Sequence, residues 1–137
     1  MWYGLCNLCF IYGTKMEKRK ILIVDDDRDI LEVMGLIMES EGYEVDLISN
    51  GQKVFDHISE FNPDLIILDV MLGNMDGREI CKQIKNTEDT LHIPVIMVSA
   101  SHNINDSVEK TCQPDDFVEK PFDIVNLINK VEVKLSA

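Results

Sequence analysis

Three short runs constrain this chain more than anything else in it. Ile21-Leu22-Ile23-Val24, Leu65-Ile66-Ile67-Leu68 and Pro94-Val95-Ile96-Met97-Val98 are continuously apolar. A half-buried strand alternates apolar and polar residues, whereas an unbroken run of this length suits a strand covered on both faces. Each run stops abruptly at polar residues: Asp25-Asp26-Asp27, Asp69 and Ser99. Between the runs, apolar residues recur at helical spacing. Ile30, Leu31, Val33, Met34, Ile37 and Met38 mark a first helix, and Gly42 follows as its stop. Val54, Phe55, Ile58 and Phe61 mark a second, closed by Asn62-Pro63. After a loop holding Gly73 and Gly77, Ile80, Cys81 and Ile84 mark a third. The run Tyr43 to Ile48 alternates and reads as a half-buried strand near a sheet edge. Phe117-Val118-Glu119 is a short strand ending at Lys120-Pro121, and a last helix carries Ile124, Leu127, Ile128, Val131 and Leu135. The stretch from Asn103 to Cys112 is weak, because only Ile104, Val108 and Cys112 fit a helical face.

Strand then helix, five times over, specifies an α/β fold: a doubly wound parallel sheet with helices on both faces and right-handed crossovers. Ligands of such sheets sit outside the carboxyl ends of the strands. Asp25, Asp26, Asp69, Ser99 and Lys120 should therefore converge on one rim. Carboxylates crowded at one point repel each other unless a cation is present, and an all-oxygen set suits a hard ion such as Mg²⁺. With one ammonium and one hydroxyl added, the rim offers a carboxylate nucleophile, a metal and two donors around a transferring phosphoryl group. Asp27 reads more simply as the cap of the first helix. Other acidic motifs fail on spacing. A calcium hand starting at Asp25 would need Gly and Glu where Ile30 and Leu36 stand. A haloacid-dehalogenase-type hydrolase would need an acid where Met71 stands. No glycine-rich nucleotide loop occurs.

The 137 residues provide one domain. Lys and Arg number 13 against 25 Asp and Glu, a net charge of -12 that opposes binding to nucleic acid or to an anionic membrane. The four cysteines are too few for a disulfide scaffold. Cys81 and Cys112 read as small buried hydrophobes, and the CxxC of Cys6 and Cys9 lacks partners for zinc. His57, His92 and His102 show no ligand spacing and read as surface or loop residues. The apolar start is too short to span a bilayer, and its basic residues follow it, unlike a signal peptide. Residues 1–17 are thus expected to be an extension, of which 1–15 is loose or an upstream start, with the domain over 18–137.

The segments ILIVDDD (21–27), PDLIILDVML (63–72), NMDG (74–77), PVIMVSA (94–100) and DDFVEKPF (115–122) closely resemble the receiver domain of two-component response regulators, in order and spacing, over residues 19 to 136. The resemblance implies a flavodoxin-like five-stranded parallel sheet of order 2-1-3-4-5. It implies a stand-alone cytoplasmic receiver that takes a phosphoryl group from a sensor histidine kinase or histidine phosphotransfer protein. Asp69 matches the phosphoacceptor. Asp26 would ligate Mg²⁺ (or Mn²⁺ in its place) directly, Asp25 through water, with Asp69 and the carbonyl of Met71 completing the set. Ser99 matches the hydroxyl that turns to the phosphoryl group and Lys120 the lysine that pairs with it, before a cis Pro121. Phe117 matches the aromatic switch, read out to a protein target, or a second copy, on the face of the fourth helix, fifth strand and fifth helix. Such a domain is not an enzyme beyond its own phosphotransfer and slow dephosphorylation. A phosphorylation-independent docking module and a Mg²⁺-dependent small-molecule phosphotransferase remain as alternatives. Gly73 stands where proline is common, and Gln113-Pro114 replaces the usual Gly-Ala. The fourth helix is expected to be short, irregular or mobile.

Overall fold

The computed structural model describes residues 18–100 and 112–136. Five parallel strands make the main sheet: β1 (Lys20–Val24), β2 (Glu44–Ile48), β3 (Leu65–Asp69), β6 (Val95–Ser99) and β7 (Asp116–Glu119), in the order β2-β1-β3-β6-β7. Counted along the main sheet alone, this is the expected 2-1-3-4-5 order. Among the described residues, four α-helices cover it: α1 (Arg28–Ser40), α2 (Val54–Phe61), α3 (Gly77–Asn86) and α4 (Ile124–Ser136). The expected extension over 1–17, with Cys6 and Cys9, and almost all of the expected fourth helix lie outside the described residues.

Strand side chains alternate between faces, and among the described residues each face meets its own pair of helices. Leu22, Val24, Ile66, Leu68, Val95 and Met97 pack with Val54 and Ile58 of α2 and Ile80 and Ile84 of α3. Ile21, Ile23, Leu65, Ile67, Ile96 and Val98 pack with Leu31, Met34 and Met38 of α1 and Leu127 and Val131 of α4. The three apolar runs are buried, apart from the half-buried Pro94, because both of their faces are covered. Truncating one of their large side chains, as in Ile67→Ala, is expected to cost about 2–5 kcal/mol.

Local signals set the element ends. Asp27 caps α1, its Oδ1 accepting from the N–H groups of Asp29 (3.0 Å) and Ile30 (3.3 Å). Gly42 takes φ +93 just after α1, and Asn62 takes φ 53 just after α2. Two aspartates clamp strand starts in the same manner. Asp64 accepts from the N–H of Lys20 at 2.8 Å and donates its own N–H to the Lys20 carbonyl at 2.7 Å. Asp115 accepts from Val95 N–H at 2.8 Å and returns its N–H to the Val95 carbonyl at 2.9 Å.

Three expectations change. The loop after Asp69 is a small hairpin, β4 (Met71–Leu72) paired with β5 (Met75–Asp76). Gly73 takes φ +63 there, the sign a two-residue hairpin turn needs at its first central position. Ile124 is 48% exposed rather than core, and it lines an open hollow at the start of α4. Cys81 and Cys112 are buried as expected but are not separate hydrophobes: they meet, with Cα atoms 5.9 Å apart.

Candidate functional site

Parallel strands bring their carboxyl ends to one rim, and the chain turns there from strand to helix or loop. Asp25 and Asp26 follow β1 directly, Asp69 closes β3, Ser99 closes β6 and Lys120 follows β7. Asp25, Asp69 and Ser99 are buried, while Asp26 is exposed. Carboxylate oxygens of Asp25, Asp26 and Asp69 lie within 4.8 Å of one another. Lys120 Nζ donates to Asp25 Oδ2 at 2.9 Å and to Asp69 Oδ2 at 3.3 Å. Its backbone N–H bonds to the Ser99 carbonyl at 2.7 Å, tying the lysine to the end of β6. The Lys120–Pro121 bond is cis.

The electrostatics follow from this crowding. Burial raises Asp69, the charge of Asp25 raises it further, and Lys120 only partly offsets them, leaving its carboxyl at about 6. Burial pulls Lys120 down, but its hydrogen bond to Asp25 and the charges of Asp69 and Asp25 outweigh that and hold the ammonium above its usual range. Three acids sharing one cation are a poor arrangement for a metal-free protein. Their all-oxygen donor set is a fitting one for a divalent cation with a preference for oxygen.

The hairpin brings a backbone group into the same site. Gly73 N–H donates to Asp26 Oδ2 at 3.1 Å. Met71, the expected carbonyl ligand, sits in β4 with its side chain exposed, and its N–H lies 3.4 Å from Asp69 Oδ1. Gly77 closes the loop, with its N–H 2.7 Å from the Val70 carbonyl. A Cβ built on Gly77 would meet the Asp69 carbonyl oxygen at 2.0 Å, so no larger residue fits against the end of β3. Phe117 stands in β7 beside Met97 of β6, half-buried against the core.

Residues 21–132 match the family model described as the response regulator receiver domain. The chain belongs to the response regulator receiver family. It is 33% identical over 117 residues to the response regulator MprA of Mycolicibacterium vanbaalenii, which covers 85% of this chain and 50% of that protein. The chain thus spans about half the length of that relative. Among solved structures it resembles the signal receiver domain of a signal transduction histidine kinase from Syntrophus aciditrophicus. That match has TM-score 0.80 and 35% identity, over 86% of this chain and 90% of the other. It also resembles a CheY-like response regulator receiver domain protein from Methanospirillum hungatei JF-1, with TM-score 0.79 and 28% identity over 88% and 95% of the two chains. Receivers belong to two-component signalling, generally bind Mg²⁺ in an acidic pocket and work with histidine kinases and downstream targets. No helix among the described residues is long and apolar enough to cross a membrane.

Two features of this receiver lay beyond the reach of the sequence. Lys130 of α4 donates to Asp116 Oδ1 at 2.8 Å and to the Phe117 carbonyl at 2.7 Å, so one ammonium grips the strand that carries the expected switch. Burial raises Asp116, but the hydrogen bond and charge of Lys130 outweigh it and hold its carboxyl below the usual range. An apolar hollow of about 620 Å³ opens beside Lys120, lined by Ile30, Val33, Ala100, Pro121, Phe122 and Ile124. Helical spacing identified Ile30, Val33 and Ile124 as apolar, but only the tertiary structure turns them to one opening.

Proposed function

We propose that this receiver accepts a phosphoryl group on Asp69 from a phosphohistidine of a sensor histidine kinase or histidine phosphotransfer protein. The observation that carries the reading is Lys120 Nζ lying between Asp25 and Asp69 at 2.9 and 3.3 Å, with Asp26 completing the acid cluster. An Asp69 oxygen forms the new P–O bond while the donor's P–N bond breaks, its electron pair staying on the imidazole nitrogen. Asp69 must be ionised for this, and Lys120 favours that form. Asp25, Asp26, Asp69 and the Met71 carbonyl would hold Mg²⁺, which supplies positive charge for the transferring group. Lys120 then pairs with a phosphoryl oxygen, and burial keeps competing water scarce at Asp69.

Ser99 and Phe117 would carry the change outward. They lie at the end of β6 and on its neighbour β7, where a new doubly charged group on Asp69 biases a two-state element. The hollow beside Lys120 suits the donor, because a partner helix seating apolar side chains there reaches the acid rim. The output is a protein contact on the face that includes β7 and α4, which agrees with the net charge of -12 and its opposition to nucleic acid. The protein works in the cytoplasm, where its kinase partners present their phosphohistidine.

The test is intact mass after incubation with acetyl phosphate and Mg²⁺. One phosphoryl adduct is expected, lost with a chelator and in Asp69→Asn. An adduct that survives Asp69→Asn overturns the assignment. A folded, Mg²⁺-binding chain that takes no phosphoryl group from acetyl phosphate or from any histidine kinase supports the docking module instead.

A further inference from the structure

Cys81 and Cys112 stand 31 residues apart in sequence, yet their Cα atoms are 5.9 Å apart, inside the range a disulfide spans. Both side chains are buried in one cluster with Ile80, Ile84, Val95 and Met97. The pair joins two functional segments. Cys81 lies on α3, the helix that starts at Gly77 against the end of β3. Cys112 precedes β7, on the approach to Phe117. Packing alone requires apolar volume at these positions and gives no reason for two thiols to meet across this distance. In reducing compartments the disulfides that do form are mostly transient or redox-sensing.

We propose that Cys81 and Cys112 are a reversible redox site, oxidised by low-molecular-weight disulfides, whose bond ties α3 to the approach to β7. Cys112, the less buried of the two, attacks the small disulfide as its thiolate and releases one thiol equivalent. Cys81 then attacks the mixed disulfide and displaces the second. The protein gives up two electrons and two protons, and both protons end on the two released small thiols. Packing excludes reagent from the closed core, so oxidation waits on local opening of the Cys112 segment. Neither step involves Asp69 or a phosphoryl group.

The experiment uses the full chain with Cys6→Ser and Cys9→Ser, equilibrated with excess oxidised glutathione or with dithiothreitol. Samples are quenched in acid, unfolded, alkylated with N-ethylmaleimide and weighed intact. Parallel hydrogen exchange follows residues 112–119. After glutathione disulfide, the chain should take no maleimide, carry no glutathione and yield a peptide linking Cys81 to Cys112. Dithiothreitol should restore two maleimide sites. Exchange over 112–119 should be about tenfold slower in the oxidised form, as a covalent tie suppresses local opening. Two maleimides after oxidation, or glutathione retained on either cysteine, would overturn the proposal. A cross-link that leaves exchange unchanged would overturn it as well.

Discussion

The two ends of the sheet use the same residues in opposite ways. At the amino end, each acid has its own cation and its own backbone donor. Asp64 holds the start of β1 and lies 3.7 Å from Arg19. Asp115 holds the start of β6 and pairs with Lys85. At the carboxyl end, the carboxylates of Asp25, Asp26 and Asp69 cluster together, and the Lys120 ammonium bridges Asp25 and Asp69. The first arrangement pins register between strands. The second crowds carboxylates around one ammonium, which is costly for the fold and is what the proposed cation and phosphoryl chemistry would use.

The contrast between the two ends of the sheet is largest at Asp69. Asp69→Asn should abolish the phosphoryl adduct and still stabilise the metal-free chain, by about 1–3 kcal/mol, since it removes a buried like charge. The pH dependence separates the two effects. Asp69 sits at about 6 when folded, above its ordinary value of 3.8, so the folded state binds its proton more tightly than the unfolded chain does. Its contribution to stability is present below about 3.8 and is lost as pH rises through about 6. In chelator, wild-type stability relative to Asp69→Asn should therefore fall across that window, as urea unfolding at several pH values would show. An unchanged difference would mean that the crowding is absent in solution.

Lys120→Met should cost about 3–5 kcal/mol in chelator, because it strands buried carboxylates without their cation. Added Mg²⁺ should recover a large part of that loss, read as the shift in the urea midpoint. Equal loss with and without Mg²⁺ would break the contrast between the two ends. At the amino end, Asp115→Asn should cost about 1–2 kcal/mol, from weakened support of the Val95 N–H and loss of its Lys85 pairing, with no Mg²⁺ dependence. The smallest effect is expected for Arg19→Ala. Its ion pair with Asp64 is half-exposed at 3.7 Å and should be worth less than about 1 kcal/mol, fading in high salt, while the loss of its hydrogen bond to the Leu135 carbonyl should not depend on salt.

The strands and their rim were legible because two-face burial demands unbroken apolar runs, and those runs end where the polar rim begins. Asp27 as the α1 cap and the edge position of β2 were legible for the same reason, since both are local consequences of pattern. The grip of Lys130 on β7 was not legible, because a lysine on a helix gives no sign of what lies across from it. The hairpin after Asp69 was equally hidden. Its strands are two residues each, too short for alternation to register.

Local patterning specifies the α/β class, the order of elements and which side chains face a common rim. Those follow from periodicity and from the handedness of parallel crossovers, which are properties of neighbouring residues. Tertiary packing is what brings one ammonium to both Asp25 and Asp69, 95 and 51 residues from Lys120 along the chain, and what raises Asp69 to about 6. It also decided that Cys81 and Cys112 would meet and that Gly77 would press against β3. Charge coupling, thiol pairing and close backbone approach depend on distances of a few ångströms between segments far apart in sequence. No local pattern encodes those distances, because they are set by how the helices pack on the finished sheet.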